Sequence, residues 1–479
     1  MTTAVISLSW SARNDANVIG SVAGMAHQAT SRRPRPAAGA RAALRELAGR
    51  ARASESLRTA WGAFAWSRLA IALIAVFAAL TVGDGGIPKA NAERFDRPAL
   101  TQPLGGLGDA LLSPLARWDA VWYLGIANSG YPSGDSPRVA FFPLYPLLTG
   151  GLAELGGGSN AALLLAGFAV SLAALLGALV LLWRLAALEL GRPVAGATLL
   201  LLCVFPASLF LGAPYSESLF LLASVGAFYA ARTGHWAWAG AAAAAASGTR
   251  SAGVLLLMPL ALLYLYGPRE DRPAGAAAPR RAGWLGALRP VYAPRADAAW
   301  LLLAPAGLAA YAAYLGAAHG DALAFSSVQE YWGREFVAPL AGVYEGLVAG
   351  VEGVRQIASG AREPVFFEQA AGDPFRVAGM NLMLLATLAF AVVAAVGVLR
   401  RLPFAYGAYV VAALMLPLSY PVEPQPLMSL PRFLVVLFPI FIWLALVCER
   451  RGITDRVAAA SALGLGLFVT QYAGWYFVA

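Results

Sequence analysis

From residue 61 onward the chain is a succession of long apolar runs separated by short polar stretches, and that pattern leaves few folds open. In a bilayer every backbone N–H and C=O must be bonded within the protein, so only helices and closed barrels span it. The runs here are continuous rather than alternating, which selects helices. Eleven spans are read: 61–82, 160–183, 193–213, 217–232, 236–249, 252–267, 297–318, 376–398, 403–420, 432–448 and 455–475. About 20 apolar residues cross the hydrocarbon core. The segments 236–249 and 252–267 are therefore short, and are expected to form a tight hairpin packed inside the protein. Charged residues make up 13% of the chain, roughly half of the ~25% usual in a soluble domain. The expected fold class is an all-α polytopic membrane protein of about eleven transmembrane helices.

Charge then orients it. Residues 1–60 hold nine arginines and no long apolar run, and read as a disordered basic cytoplasmic arm, not a signal peptide. With that arm inside, the loops bearing Arg184 and Arg192, Arg232, Arg269 to Arg295, Arg400 and Arg401, and Arg450 and Arg451 all fall on the same side. The net charge of +9 is thus topological and implies no nucleic-acid partner. The outer side receives the loops 83–159 and 319–375, most of the conspicuous motifs, and so the expected active site. An outer site is cut off from cytoplasmic nucleotide sugars and ATP, so an activated donor has to be carried by lipid.

The first outer loop holds "RWDAVWYLGIANSGYP" (117–132), followed by "AFFPLYPLL" (140–148). Trp122, Tyr123, Leu124, Ile126 and Ala127 at near-helical spacing suit an interfacial helix with its aromatic side at headgroup level. On that reading Arg117 and Asp119 are an ordinary solvated pair. Arg250, between two apolar segments, is either functional or a snorkelling helix-end arginine; Arg432, at the start of a span, poses the same choice. Ser216 with Glu217 is what a helix start asks for, a cap followed by an acid; Glu217 could equally pair with Arg250. Cys203 and Cys448 sit in apolar runs without metal-type spacing, and His27, His235 and His319 form no cluster, so no metal site is expected. "GGLAELGGGSN" (150–160) lacks the Lys-Ser/Thr of a phosphate-binding loop and reads as a connector.

The loop motif resembles the signature of the PIG-V-like family, the GPI mannosyltransferase II family and its bacterial relatives, within the GT-C glycosyltransferase superfamily. The resemblance continues through "FPASLFLGAPYSESLFLLAS" (205–224), "GTRSAGVLL" (248–256) and "SLPRF" (429–433), in the family's order. Ala252 stands where the family usually has Asn. "QEYWGREF" (329–336) is similar to a stretch in bacterial members. A strong bias to arginine, with Lys89 the sole lysine, agrees with a GC-rich bacterial genome.

The resemblance implies a GT-C-like helix bundle with interfacial helices in its large first outer loop. It also implies a plasma-membrane enzyme that takes a sugar, most often mannose, from a polyprenyl phosphate co-substrate. The acceptor would be a glycolipid, glycan or protein. It implies Asp119 as the catalytic base, with inversion, and Arg250, Arg432 and Arg334 as partners of the donor phosphate. Arg117, Trp118, Trp122, Tyr123, Tyr215 and Glu217 would bind or orient substrate, Arg117 as a structural partner of Asp119. No cofactor is implied, and a metal requirement is left open. A transporter or flippase of lipid-linked sugars is the rival from another class, although no internal repeat is visible. A catalytically dead relative acting as scaffold is the third reading.

Overall fold

The computed structural model describes residues 36–82, 94–132, 136–272, 289–367 and 373–478. The chain divides into two units, Met1–Arg52 and Ala53–Ala479. Of the first, the described part is the opening of one helix; everything below concerns the second. Residues 1–35 of the expected arm lie outside the described residues. From Pro36 on the chain is helical, so the first helix starts 25 residues before the expected span at 61.

Among the described residues there is no strand. The helices of ten residues or more are α1 (Pro36–Thr81), α2 (Ala120–Ser129), α3 (Leu144–Leu155), α4 (Asn160–Leu190), α5 (Arg192–Val204), α6 (Glu217–Arg232) and α7 (Trp236–Thr249). They continue as α8 (Leu257–Tyr266), α9 (Ala306–His319), α10 (Pro339–Ser359), α11 (Pro374–Arg401), α12 (Phe404–Leu418), α13 (Phe438–Arg451) and α14 (Thr454–Ala473). Among the described residues three stretches are long and apolar enough to cross a bilayer: Ser54–Thr81, Asn160–Leu190 and Pro374–Arg401. The pair Ala296–Leu303 and Ala306–His319, bent by 45°, has the length and composition of a broken span or a re-entrant loop. The chain is a multi-pass, all-helical membrane protein.

Local chemistry sets many of the boundaries. The Ser159 hydroxyl accepts from the Ala162 amide to start α4, and Gly191, at φ 89°, ends it. Asp373 accepts from the Phe375 amide to start α11, with Pro374 at its first position. The expected spans 193–213 and 432–448 are each interrupted. Pro206 holds Phe205 extended, so α5 gives way to a 3₁₀ turn, Pro206–Leu211. Pro431 and Pro439 bracket a break between a short helix, Leu430–Val435, and α13. Arg250, extended at φ −155° and ψ 147°, separates α7 from the 3₁₀ turn Ser251–Leu256, and the short hairpin forms where the spacing predicts it.

Two features escaped the sequence reading. The loop 319–375 contains α10, a 21-residue helix. Gly342, Gly346, Gly350 and Gly353 form one buried face of it, while Leu340, Tyr344, Leu347, Val351 and Val354 are exposed on another. A Cβ on Gly342 would lie 2.0 Å from the Leu418 carbonyl oxygen at the end of α12. Gly342→Leu is expected to lower the melting temperature in detergent, since overpacking costs about 1–3 kcal/mol; an unchanged melt would mean that α10 is not seated on α12.

The second feature is Arg68, in the middle of the first span. Its Nη1 donates to the Ser208 carbonyl at 2.7 Å and its Nη2 to the Ser208 hydroxyl at 3.2 Å. It thereby satisfies backbone freed where α5 breaks, as an arginine inside a membrane span must. Arg68→Met takes the guanidinium donor from the Ser208 carbonyl, while the Ser208 hydroxyl keeps its bond to the Cys203 carbonyl, and is expected to destabilise the fold by about 1–3 kcal/mol. Thermal melting of the variant against wild type checks it.

Candidate active site

Helix α2 begins at Ala120, with Asp119 in the capping position. An aspartate there normally accepts from the first free amides of its helix. Here it makes no cap bond. Its Oδ2 instead accepts from Arg432 Nη1 at 2.5 Å, across 313 residues of sequence. Ser216 repeats the pattern at the start of α6: its side chain does not cap, and its hydroxyl meets the Tyr123 hydroxyl at 2.8 Å. Two residues suited to ordinary caps are thus committed to tertiary contacts. Ser216 therefore does not cap with its side chain, while Glu217 is the acid in the first turn of α6, as its helix-start reading expects, and also a partner in the cluster.

Glu217 is fully buried and joins the pieces. Its Oε1 lies 2.9 Å from Arg250 Nη1 and 3.3 Å from Arg432 Nε. Its Oε2 has no hydrogen-bond partner among the described residues. Arg250 and Arg432 are largely withdrawn from the surface, at 15% and 12% side-chain exposure, so neither is a freely snorkelling helix-end arginine. Arg334 completes the group. It follows Gly333, whose φ of 66° turns the chain. Burial first, then the Arg432 charge, lowers the Arg334 pKa to about 10, with Asp119 opposing the drop. It remains a cation at neutral pH, electrostatically coupled to both members of the Asp119–Arg432 pair. Two carboxylates and three guanidiniums leave the cluster one positive charge in excess.

The backbone under Asp119 is held by tyrosines. Tyr215 Oη accepts from the Asp119 amide at 3.0 Å and donates to the Arg117 carbonyl at 2.8 Å. Tyr472, from α14, donates to the same carbonyl at 2.8 Å. Trp118, between them, is in the left-handed region at φ 57°, and Ser429, three residues before Arg432, is at φ 70°. Both members of the ion pair therefore follow a strained non-glycine residue, and such strain persists only where packing over-determines it. For Trp118 the packing is aromatic: its ring centroid is 5.3 Å from Phe95, 5.3 Å from Phe477 and 5.9 Å from Trp475.

Three expectations change. Residues 120–126 of α2 are all buried, so Trp122 and Tyr123 do not face lipid headgroups. Trp122 stacks on Phe141 at 5.9 Å and meets Trp332 edge-on at 5.5 Å, while Tyr123 packs on Tyr145 at 5.2 Å. Arg117 is not the partner of Asp119: its guanidinium lies over the Trp475 ring at 4.6 Å, and its backbone is what supports the site. Asp119 is not a solvated loop charge, at 15% side-chain exposure. Tyr472 was missed, although a tyrosine flanked by Gln471 in a late apolar run is a visible signal. Among the described residues no group of three or more His, Cys, Asp or Glu could share a metal ion.

The profile of the mannosyltransferase (PIG-V) family matches residues 68–264. That segment is similar to the PIG-V mannosyltransferase family. The matched segment contains Arg68, Asp119, Tyr215, Glu217 and Arg250, while Arg334, Arg432 and Tyr472 come from beyond it. Curated relatives agree. The GPI alpha-1,6-mannosyltransferase 2 of Rattus norvegicus is 39% identical over 163 residues, and that of Mus musculus 36% over 162; each alignment covers 32% of this chain and 32% of the relative. The chain thus spans about a third of the length of the curated relatives it matches. Among solved structures, an archaeal oligosaccharyltransferase from Archaeoglobus fulgidus, in complex with an inhibitory peptide and a dolichol-phosphate, is similar over 87% of this chain and 56% of that one. The TM-score is 0.40 and the identity 14%.

Proposed function

We propose that this chain is a PIG-V-type membrane mannosyltransferase that moves mannose from a polyprenyl-phosphate donor to an acceptor hydroxyl on the outer face of the plasma membrane. The observation that carries the reading is the buried Asp119–Arg432–Glu217–Arg250 cluster, most of it inside the PIG-V match. Its charge suits the chemistry. A donor phosphodiester bears one negative charge, equal and opposite to the excess of the cluster. In transfer the acceptor oxygen attacks the anomeric carbon, and the carbon–oxygen bond to phosphate breaks with its electron pair going to the phosphate oxygen. The acceptor proton passes to Asp119. Arg432 holds Oδ2, which leaves Oδ1 to take that proton. As the leaving phosphate gains its second negative charge, the protonated Asp119 raises the cluster to two positive charges. Preorganised cations at the site where charge develops are the largest usual source of rate. One base and a direct displacement give inversion.

The Asp119–Arg432 pair also has a role. A donor phosphate competes with Asp119 for the same guanidinium. Donor binding thus frees the base at the moment it is needed. Glu217, with one oxygen unpaired, is suited to orient an acceptor hydroxyl. The transporter reading is not favoured, because the matching family is one of transferases. The test is incubation of the purified chain in detergent with labelled polyprenyl-phosphate-mannose and a membrane acceptor extract. Labelled product is expected; a transporter produces none without two compartments, and that result overturns the proposal.

A further inference from the structure

A second cationic site opens beside the first. It is a pocket of about 470 Å³ lined by Arg94, Arg97 and Arg138, with Trp122, Tyr331 and a wall of loop residues. Among the described residues lining it there is no carboxylate, and none of the three arginines makes a salt bridge. Arg94 lies over the Tyr331 ring at 4.7 Å and Arg97 over the Trp122 ring at 5.6 Å. Arg138 is anchored at the C-terminal end of α2, donating to the Ser129 hydroxyl at 2.9 Å and the Gly130 carbonyl at 3.1 Å. Burial first, and then the charge of Arg97, lowers the Arg138 pKa, which shows that like charges are being held together. Trp122 is only 4% exposed, and its indole N–H has no partner among the described residues. Three guanidiniums thus line one pocket, and no carboxylate is among its described lining residues. Arginine forks of this kind recognise phosphate and carboxylate oxygens.

We infer that this pocket binds an anionic group, a phosphodiester, carried by the acceptor. The inference rests on the transferase reading above for the word acceptor. The donor cannot supply the anion, because its phosphate is bonded to the carbon under attack and is held by the arginines of the first site. None of Asp119, Glu217, Arg250, Arg334 or Arg432 lines the pocket. Trp122 stands one helical turn beyond Asp119, and Arg138 meets the far end of the same ten-residue helix. At 1.5 Å per residue the pocket runs along α2 from about 5 Å to about 15 Å beyond Asp119. The acceptor is therefore gripped by its charge along α2 while its hydroxyl is presented at the start of that helix.

The experiment is equilibrium binding to the full chain in neutral detergent, with octyl α-mannoside and the same glycoside bearing a methyl phosphodiester as probes. The phosphodiester is expected to bind at least about tenfold more tightly. Arg94→Gln/Arg97→Gln is expected to abolish that preference and to leave polyprenyl phosphate binding unchanged. Arg94→Lys/Arg97→Lys keeps the charge, and its retention of most of the preference separates lost recognition from misfolding. Asp119→Asn is expected to keep the preference in full, so a chain that failed to transfer sugar would still report on this pocket. Equal affinity for the two glycosides overturns the inference. So does competition by phosphatidylglycerol as strong as by the glycoside, which would mark an ordinary lipid-headgroup site. A loss of polyprenyl phosphate binding in the glutamine variant would mark a donor site and overturn it as well.

Discussion

Asp119→Asn is expected to lower sugar transfer by at least about a hundredfold, the usual contribution of a positioned general base, while the protein still inserts and melts near the wild-type temperature. The amide keeps the size of the carboxylate and one oxygen for Arg432, so the 2.5 Å contact survives as a weaker hydrogen bond. The lost function is proton acceptance. Donor affinity is expected to hold or improve, because Arg432 is no longer shared with a carboxylate. Transfer rates with labelled donor, measured beside donor binding, distinguish a missing base from a missing binding site. Turnover close to wild type in the Asn variant would remove Asp119 from the mechanism.

Arg432→Gln should have an effect as large, in two separable parts. The first is on the fold. Removing one partner from a buried pair leaves the other charge uncompensated and costs about 3–5 kcal/mol; Asp119 loses its partner, whereas Glu217 keeps Arg250. The second is on catalysis, where losing a cation at the leaving phosphate is expected to cost about 10²–10³-fold. The double variant Asp119→Asn/Arg432→Gln separates them. With both charges gone, melting temperature is expected to recover most of its loss while transfer stays absent. Such non-additivity is the mark of two residues acting as one unit. If Arg432→Gln alone melts and turns over like wild type, the pair has neither role.

How much of this was legible from the residues alone differs by element. The helices α6, Glu217–Arg232, and α7, Trp236–Thr249, have the bounds that the apolar runs 217–232 and 236–249 predict. The break at Arg250 follows as well, once two short apolar segments are recognised as a hairpin. The breaks at Pro206 and Pro431 were equally local, yet the apolar runs around them are long enough to disguise two pieces as one span. Helix α10 was hidden for another reason. Its glycine stripe and three charges, Glu345, Glu352 and Arg355, depress the apparent apolarity of a helix whose exposed face is apolar. Within the cluster one partnership is already visible in the sequence, Glu217 with Arg250, but the partner of Asp119 is not. Arg117, two positions from Asp119, is the obvious mate along the chain, and the true one is 313 residues away.

The sequence by itself determined that the chain is a helical membrane protein and which polar residues stand out against its apolar runs. Those are matters of backbone solvation and local turn chemistry, both of which act within a few residues. It could not determine that Trp122 and Tyr123 face the protein core instead of headgroups, because an aromatic stripe is the same stripe against either surroundings. Nor could it pair Asp119 with Arg432 or gather Arg94, Arg97 and Arg138 around one pocket. Charge interactions depend on distance through space and on the dielectric of what lies between. Both are fixed only when segments far apart in the chain are packed together.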